Sequence, residues 1–143
     1  MTPRDYLELQ TNVKLRATWD TWIKSIEIID TLSDNGWNGR DDGVVIRWIQ
    51  KMPAFLSSRE YVYIREVFHN RDDKLIAIVS RECDHPDVKQ EKGLVRVENY
   101  RSVTVITYDD FNKPGFTSML TYHDNVSKIL PKSKYYDDYV ITF

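Results

Sequence analysis

Cysteine is nearly missing from this chain: Cys83 stands alone among 143 residues. No internal disulfide can form, so a reducing compartment is allowed and stability has to come from packing. A cysteine-based zinc pattern is excluded too. No apolar run approaches the roughly 20 residues that a membrane-spanning helix needs. The N-terminus, MTPRDYLELQ, lacks the apolar stretch of a signal peptide. The five glycines are scattered, so there is no glycine-rich phosphate loop. Neither sign of charge dominates, with 20 basic against 22 acidic residues and a net charge of −2. That balance gives no electrostatic attraction to nucleic acid.

Residues with catalytic potential do not gather. His69, His85 and His123 sit near strand ends or in loops and share no ligand spacing, so no metal is expected. Cys83 follows an apolar run and reads as a packed thiol. Ser57, Ser58 and Ser80 lack a G-x-S-x-G elbow. The acidic pairs Asp41-Asp42, Asp72-Asp73, Asp109-Asp110 and Asp137-Asp138 fall at turns or near the end, where solvated carboxylates are ordinary. No catalytic set and no cofactor site emerge. Asn125-Val126-Ser127 has the form of a glycosylation sequon, but without a secretory signal it reads as chance.

What the chain does have is aromatics, at 13%, with nine tyrosines and four tryptophans. They fit either an aromatic core or an aromatic-lined cavity. The stretch from Trp48 to Arg65, WIQKMPAFLSSREYVYIR, is the most telling. It reads as a strand, a proline-containing turn and a second strand. Strands joined by a short connection usually pair, so Trp48 and Tyr61 are expected side by side. Electron-rich rings walling one pocket suit a quaternary ammonium ion, which cannot donate a hydrogen bond.

Thr2-Pro3-Arg4-Asp5 predicts a helix start, with Thr2 as cap, Pro3 in the first turn and Asp5 closing a capping box. Tyr6, Leu9 and Val13 follow at helical spacing. Between Trp19 and Asp30 both a helical and a strand period fit. Asn35-Gly36, Asn38-Gly39 and Asp42-Gly43 are turn signals. Strands are expected over 44–50, 59–68, 74–83 and 116–123, with loops over 52–58 and 84–92. Residues 93–108 read as one long strand or two with a kink, and the stretch after Pro131 is weak in pattern. Helices followed by a run of strands on short turns predict an α+β fold with a mostly antiparallel, curved sheet packed on helices.

Five segments occur in one order: Arg16-x-x-Trp19-Asp20, the strand holding Trp48, Ser58-Arg59-Glu60-Tyr61-Val62-Tyr63, Gly93-Leu94-Val95-Arg96-Val97-x-x-Tyr100, and Leu120-Thr121-Tyr122-x-Asp124-Asn125. Together they resemble the START lipid-transfer domain, and most of all its phosphatidylcholine-binding branch. The resemblance covers most of residues 2 to 131. It implies a helix-grip fold, a curved antiparallel sheet around a lipid tunnel closed by a C-terminal helix. It implies a lipid-binding and transfer protein, not an enzyme, that meets membranes transiently and takes phosphatidylcholine. Arg16 falls where such carriers set an arginine against the lipid phosphate. Trp48, Tyr61 and Tyr100 fall where they set the aromatic walls around choline. Residues 52 to 58 match a loop that gates the tunnel. A cytoplasmic location, associated with or imported into mitochondria, is implied as well.

The chemistry of these residues is compatible with those roles. Arginine offers a fixed fork of donors matched to phosphate oxygens. Its plain alternative is an ion pair with Asp20 one helical turn away. Tyr100 is awkward: strict alternation puts it with Arg96, Glu98 and Ser102, away from Val95, Val97 and Val103. Either that face is a polar headgroup lining, or a bulge re-aims the ring.

The chain also departs from the family pattern. A full domain carries a helix and several strands before the segment matching Thr2 to Asp20, and residues 127–143 lack the amphipathic pattern of the closing helix. Residues 1–143 are therefore expected to form a single, partial domain with an open sheet edge, less stable than an intact one. Three readings follow: a phosphatidylcholine carrier, a truncated interaction or regulatory protein that holds no lipid, and, least supported by the residues, a helix-grip enzyme.

Overall fold

The computed structural model describes residues 1–32, 43–125 and 139–142. The turn signals at 35–42, the last two residues of the sequon and the stretch 126–138 lie outside the described residues.

The chain opens with helix α1 (Pro3–Thr11), and the expected capping box is formed. Asp5 N–H donates to Thr2 Oγ1 at 3.1 Å, and Thr2 N–H donates to Asp5 Oδ2 at 2.9 Å. Hydrogen bonding to Thr2 holds the Asp5 carboxyl below its usual range. Asn12 ends α1 in an extended conformation and at once caps α2 (Val13–Trp19), its side-chain oxygen accepting from Leu15 N–H. Asp20 then stops α2 and accepts from Trp22 N–H at 3.1 Å. This Asx turn decides the ambiguous segment, because it releases the chain into strand β1 (Ile23–Thr31).

The remaining strands are β2 (Val44–Gln50), β3 (Arg59–Asn70), β4 (Leu75–Glu82), β5 (Val95–Arg96), β6 (Arg101–Tyr108), β7 (Phe116–His123) and β8 (Tyr139–Thr142). They form one sheet in the order β1-β2-β3-β4-β6-β7-β8, with every neighbouring pair antiparallel. The α+β class and the curved antiparallel sheet are as the sequence predicts. β2 and β7 match the expected bounds, and β3 runs two residues further. β8 covers β7 over 117–120, in a stretch whose pattern gave no strand signal. The 93–108 segment is two strands, and the first is a surprise: β5 runs parallel to the start of β3.

Length explains how β3 organises the sheet. Residues 59–65 pair with β2 and residues 63–70 pair with β4, so one twelve-residue strand carries the sheet around its bend. Two register shifts in β1 add curvature at the edge. That edge strand shows Lys24, Glu27 and Asp30 to solvent, which discourages pairing with other chains. Helix α1 lies on the concave face, with the Tyr6 ring 5.0 Å from Phe116 and the Arg4 guanidinium 5.5 Å over Phe111. Around Tyr6 the core is Val67, Ile76, Ile78, Ile106 and Phe116. Each such side chain contributes about 1.5–3 kcal/mol by leaving water. A second core, which includes Trp48, Tyr61, Tyr63 and Tyr100, sits under α2.

Candidate functional site

Antiparallel register puts Trp48 opposite Tyr61. Directly opposed residues share a face, and the two rings stack at 4.5 Å with 20° between planes. The expectation that these two are neighbours holds. Tyr100 meets Tyr61 edge-on at 5.3 Å and Tyr63 edge-on at 5.1 Å. Such tilted arrangements suit ring quadrupoles.

Asn99 resolves the puzzle of Tyr100. Val97 N–H donates to Glu60 O and extends the parallel ladder of β5 by one residue. Asn99 then takes φ 55, a left-handed conformation that asparagine tolerates better than most residues. The alternation resets there, so Val97 and Tyr100 both enter the aromatic core. Beyond the break, Tyr100, Ser102 and Thr104 all line one cavity, so that face is polar as well. The face beyond the break is thus polar, and the turn at Asn99, rather than a bulge, separates it from the alternation of the preceding residues.

Arg16 comes from the last turn of α2. Its guanidinium carbon lies 5.1 Å over the Trp48 ring and 5.9 Å over Trp19. One Nη reaches Asp20 at 3.5 Å, so the plain ion pair exists too. Arg16 Nε is buried and has no hydrogen-bond partner among the described residues, and the same is true of Trp48 Nε1. Buried donors left in this state are costly.

These groups border a cavity of about 320 Å³ between the helices and the concave sheet. Arg16, Trp48 and Tyr100 line it. Tyr61 does not; it is 2% exposed and stands behind Trp48 and Tyr100 as backing. Sequence reasoning missed two polar contributors, Gln10 on α1 and Arg65 on β3. The signals were present. Gln10 lies six residues before Arg16 on the same helical hairpin, and Arg65 continues the inward alternation of Tyr61 and Tyr63. Four hydroxyl residues of β4, β6 and β7 complete the polar lining: Ser80, Ser102, Thr104 and Ser118.

Tyr61 and Tyr122 share the Asp124 carboxylate. Tyr122 Oη donates to Asp124 Oδ2 at 2.8 Å, and Tyr61 Oη lies 3.1 Å from the same oxygen. Burial, with the carboxylate adding to it, pushes the Tyr61 phenol up to about 12. Burial also raises Tyr63 and Tyr100, and burial together with Tyr61 and Asp124 raises Tyr122. All four rings are neutral hydrogen-bonding surfaces at physiological pH.

The histidines stay apart. His69 Nε2 contacts Tyr108 Oη at 2.6 Å, and His85 Nε2 contacts Asp30 at 2.9 Å. Cys83 is half-buried, and burial pushes its thiol up, away from nucleophilic reactivity. Among the described residues no group of three His, Cys, Asp or Glu side chains could hold a metal ion, and no helix is long and apolar enough to cross a membrane.

Comparison with known proteins fits this geometry. A family profile described as START domain matches residues 3–135. StAR-related lipid transfer protein 7, mitochondrial, of Homo sapiens is 31% identical over 133 residues, which is 92% of this chain and 34% of that protein. The phosphatidylcholine transfer protein of Homo sapiens is 29% identical over 121 residues, 81% of this chain and 50% of that protein. The crystal structure of human STARD10 superposes with a TM-score of 0.74 at 16% identity, covering 92% of this chain and 49% of that one. This chain thus spans about a third to a half of the length of these relatives.

Proposed function

The chain belongs to the START domain family, and on that premise we propose that it binds phosphatidylcholine and carries it between membranes. The relatives named as lipid transfer proteins support carriage in general terms. The observation that carries the finer reading is Arg16, a cation over the Trp48 ring with a buried, partnerless Nε at a cavity wall.

The chemistry runs as follows. The Arg16 fork donates to phosphate oxygens with charge-assisted hydrogen bonds. Trp48 and Tyr100 present π-faces to the quaternary ammonium, worth about 2 kcal/mol when water is excluded. Tyr61 stiffens Trp48 from behind. The volume, about 320 Å³, suits the polar end of a phospholipid, so two full-length acyl chains extend beyond it. Each methylene kept from water contributes about 0.8 kcal/mol, which makes release into water extremely slow and release at a bilayer the practical route. Phe55, 94% exposed in the loop between β2 and β3, is the side chain we assign to membrane contact. The relative named as mitochondrial points to mitochondrial membranes as donor or acceptor.

Native mass spectrometry of the chain recovered gently from cells tests this reading. Co-purified choline phospholipid, with vesicle-to-vesicle transfer of phosphatidylcholine in vitro, is the expected result. Bare protein without transfer overturns it and favours the lipid-free interaction protein.

A further inference from the structure

Beyond Arg16 and Trp48 the cavity wall sets hydroxyl groups among apolar side chains. Ser80 and Ser102 are cross-strand partners on β4 and β6. Thr104 stands one pleat further along β6, about 7 Å on, between Ile78 and Leu120. Ser118 follows on β7, opposite Ile106. The hydroxyls therefore run in a row from the Tyr100 end of the cavity toward Tyr6, and all four residues line it. Three of them are already engaged: Ser102 Oγ lies 3.1 Å from Tyr100 Oη, Ser80 also hydrogen-bonds the Tyr100 phenol, and Ser118 Oγ donates to Tyr6 Oη at 3.1 Å. Thr104 is 9% exposed, and its hydroxyl is not one of the fully buried unpartnered groups, so it faces the open space of the cavity, where a guest would meet it.

A saturated chain laid along this row would strand Thr104, because a buried hydroxyl without a partner is costly. A carbonyl oxygen there would accept its hydrogen. In a phosphoglyceride the two ester carbonyls come a few bonds past the phosphate, where this row begins if the phosphate sits at Arg16. We infer that the row centred on Thr104 recognises the ester carbonyls of the glycerol backbone and selects ester-linked over ether-linked choline phospholipids. The inference rests on the phosphocholine reading of Arg16 and Trp48, and it names what lies next to that headgroup.

The test loads the full 143-residue chain from vesicles containing equal dioleoyl phosphatidylcholine and its dioleyl diether analogue, and reads the bound ratio by native mass spectrometry. One hydrogen bond to a carbonyl predicts roughly fivefold more ester than ether lipid. Thr104→Val keeps the side-chain shape and removes the hydroxyl, so the ratio falls toward one; Thr104→Ser restores it. Ser102→Ala is the second probe should Thr104→Val fail to fold, and it lowers the ratio as well. Equal loading of the two lipids by the wild type overturns the inference, as does a preference that survives Thr104→Val. A separate arm with dioleoyl phosphatidylcholine against dioleoyl phosphatidylethanolamine reports on the headgroup. Equal loading there sinks the phosphocholine reading while the ester-to-ether ratio still decides this one. Failure to load any lipid overturns both.

Discussion

Replacing Arg16 by glutamine separates a binding role from a structural one. Glutamine matches arginine in helix propensity, so α2 is little disturbed. Three contacts are lost: Asp20 at 3.5 Å, the Trp48 face at 5.1 Å and the Trp19 face at 5.9 Å. The ion pair is one helical turn long and partly exposed, which limits it to about 0.3–0.5 kcal/mol. The ring contacts add about 0.5–1 kcal/mol. The fold should lose about 1 kcal/mol in all, a fall of about 4 °C in Tm for a domain of this size. A charge-assisted pair with a phosphate is worth far more, about 1.5–3 kcal/mol, or a loss of roughly 10- to 150-fold in lipid binding. The assay is transfer of fluorescent phosphatidylcholine between vesicles, run beside a thermal melt. Transfer that survives intact refutes the phosphate role, and so does a loss of transfer matched by collapse of the fold.

Other outcomes follow from the same geometry. Glu60 is 0% exposed and bracketed by Arg47 and Arg96, at 2.6 Å and 2.7 Å; Glu60→Gln should cost about 3 kcal/mol in a urea titration, because Arg96 loses its carboxylate while Arg47 keeps only the exposed Glu91 and Glu27. A change under 1 kcal/mol would show the bracket to be slack. Burial raises the phenol of Tyr61 from 10 to about 12, so its contribution to stability is whole below pH 10 and drains as pH climbs through about 12. Tyrosinate absorbance of the native protein should therefore lag behind that of the urea-unfolded chain across this window, and coincident curves would contradict the burial. Phe55→Ser should slow transfer severalfold at unchanged melting temperature, since the ring touches little of the protein; an unchanged rate removes that loop from membrane contact.

Local chemistry made much of this architecture readable. The α1 cap was written in Thr2 and Asp5, and β2 and β7 in runs of β-branched and aromatic residues. The pairing of Trp48 with Tyr61 followed from a short connection between strands. Legibility failed where a single backbone angle or a distant partner decides. Alternation counted along 93–108 takes the chain as continuous, and Asn99 interrupts it by turning left-handed. The parallel pairing of β5 depends on Ser58 and Glu60, far away in sequence, whose carbonyls take the Val95 and Val97 amides. Arg65 and Gln10 escaped notice because each looks like an ordinary surface residue until the helices are folded onto the sheet. Tyr61 shows the reverse: its type and neighbours suggested a wall, and packing made it the buttress of one.

The stacking of Arg16 on Trp48 has a consequence for how a guest arrives. The indole already hosts a positive guest belonging to the host itself. On the proposed function, a trimethylammonium coming to lie on that indole would exchange one monovalent tenant for another. The displaced guanidinium has only to swing toward the newcomer's own anionic neighbour. Admission on these terms would be a swap of partners within a zwitterion, and the protein would never have to strip a lone charge of its company.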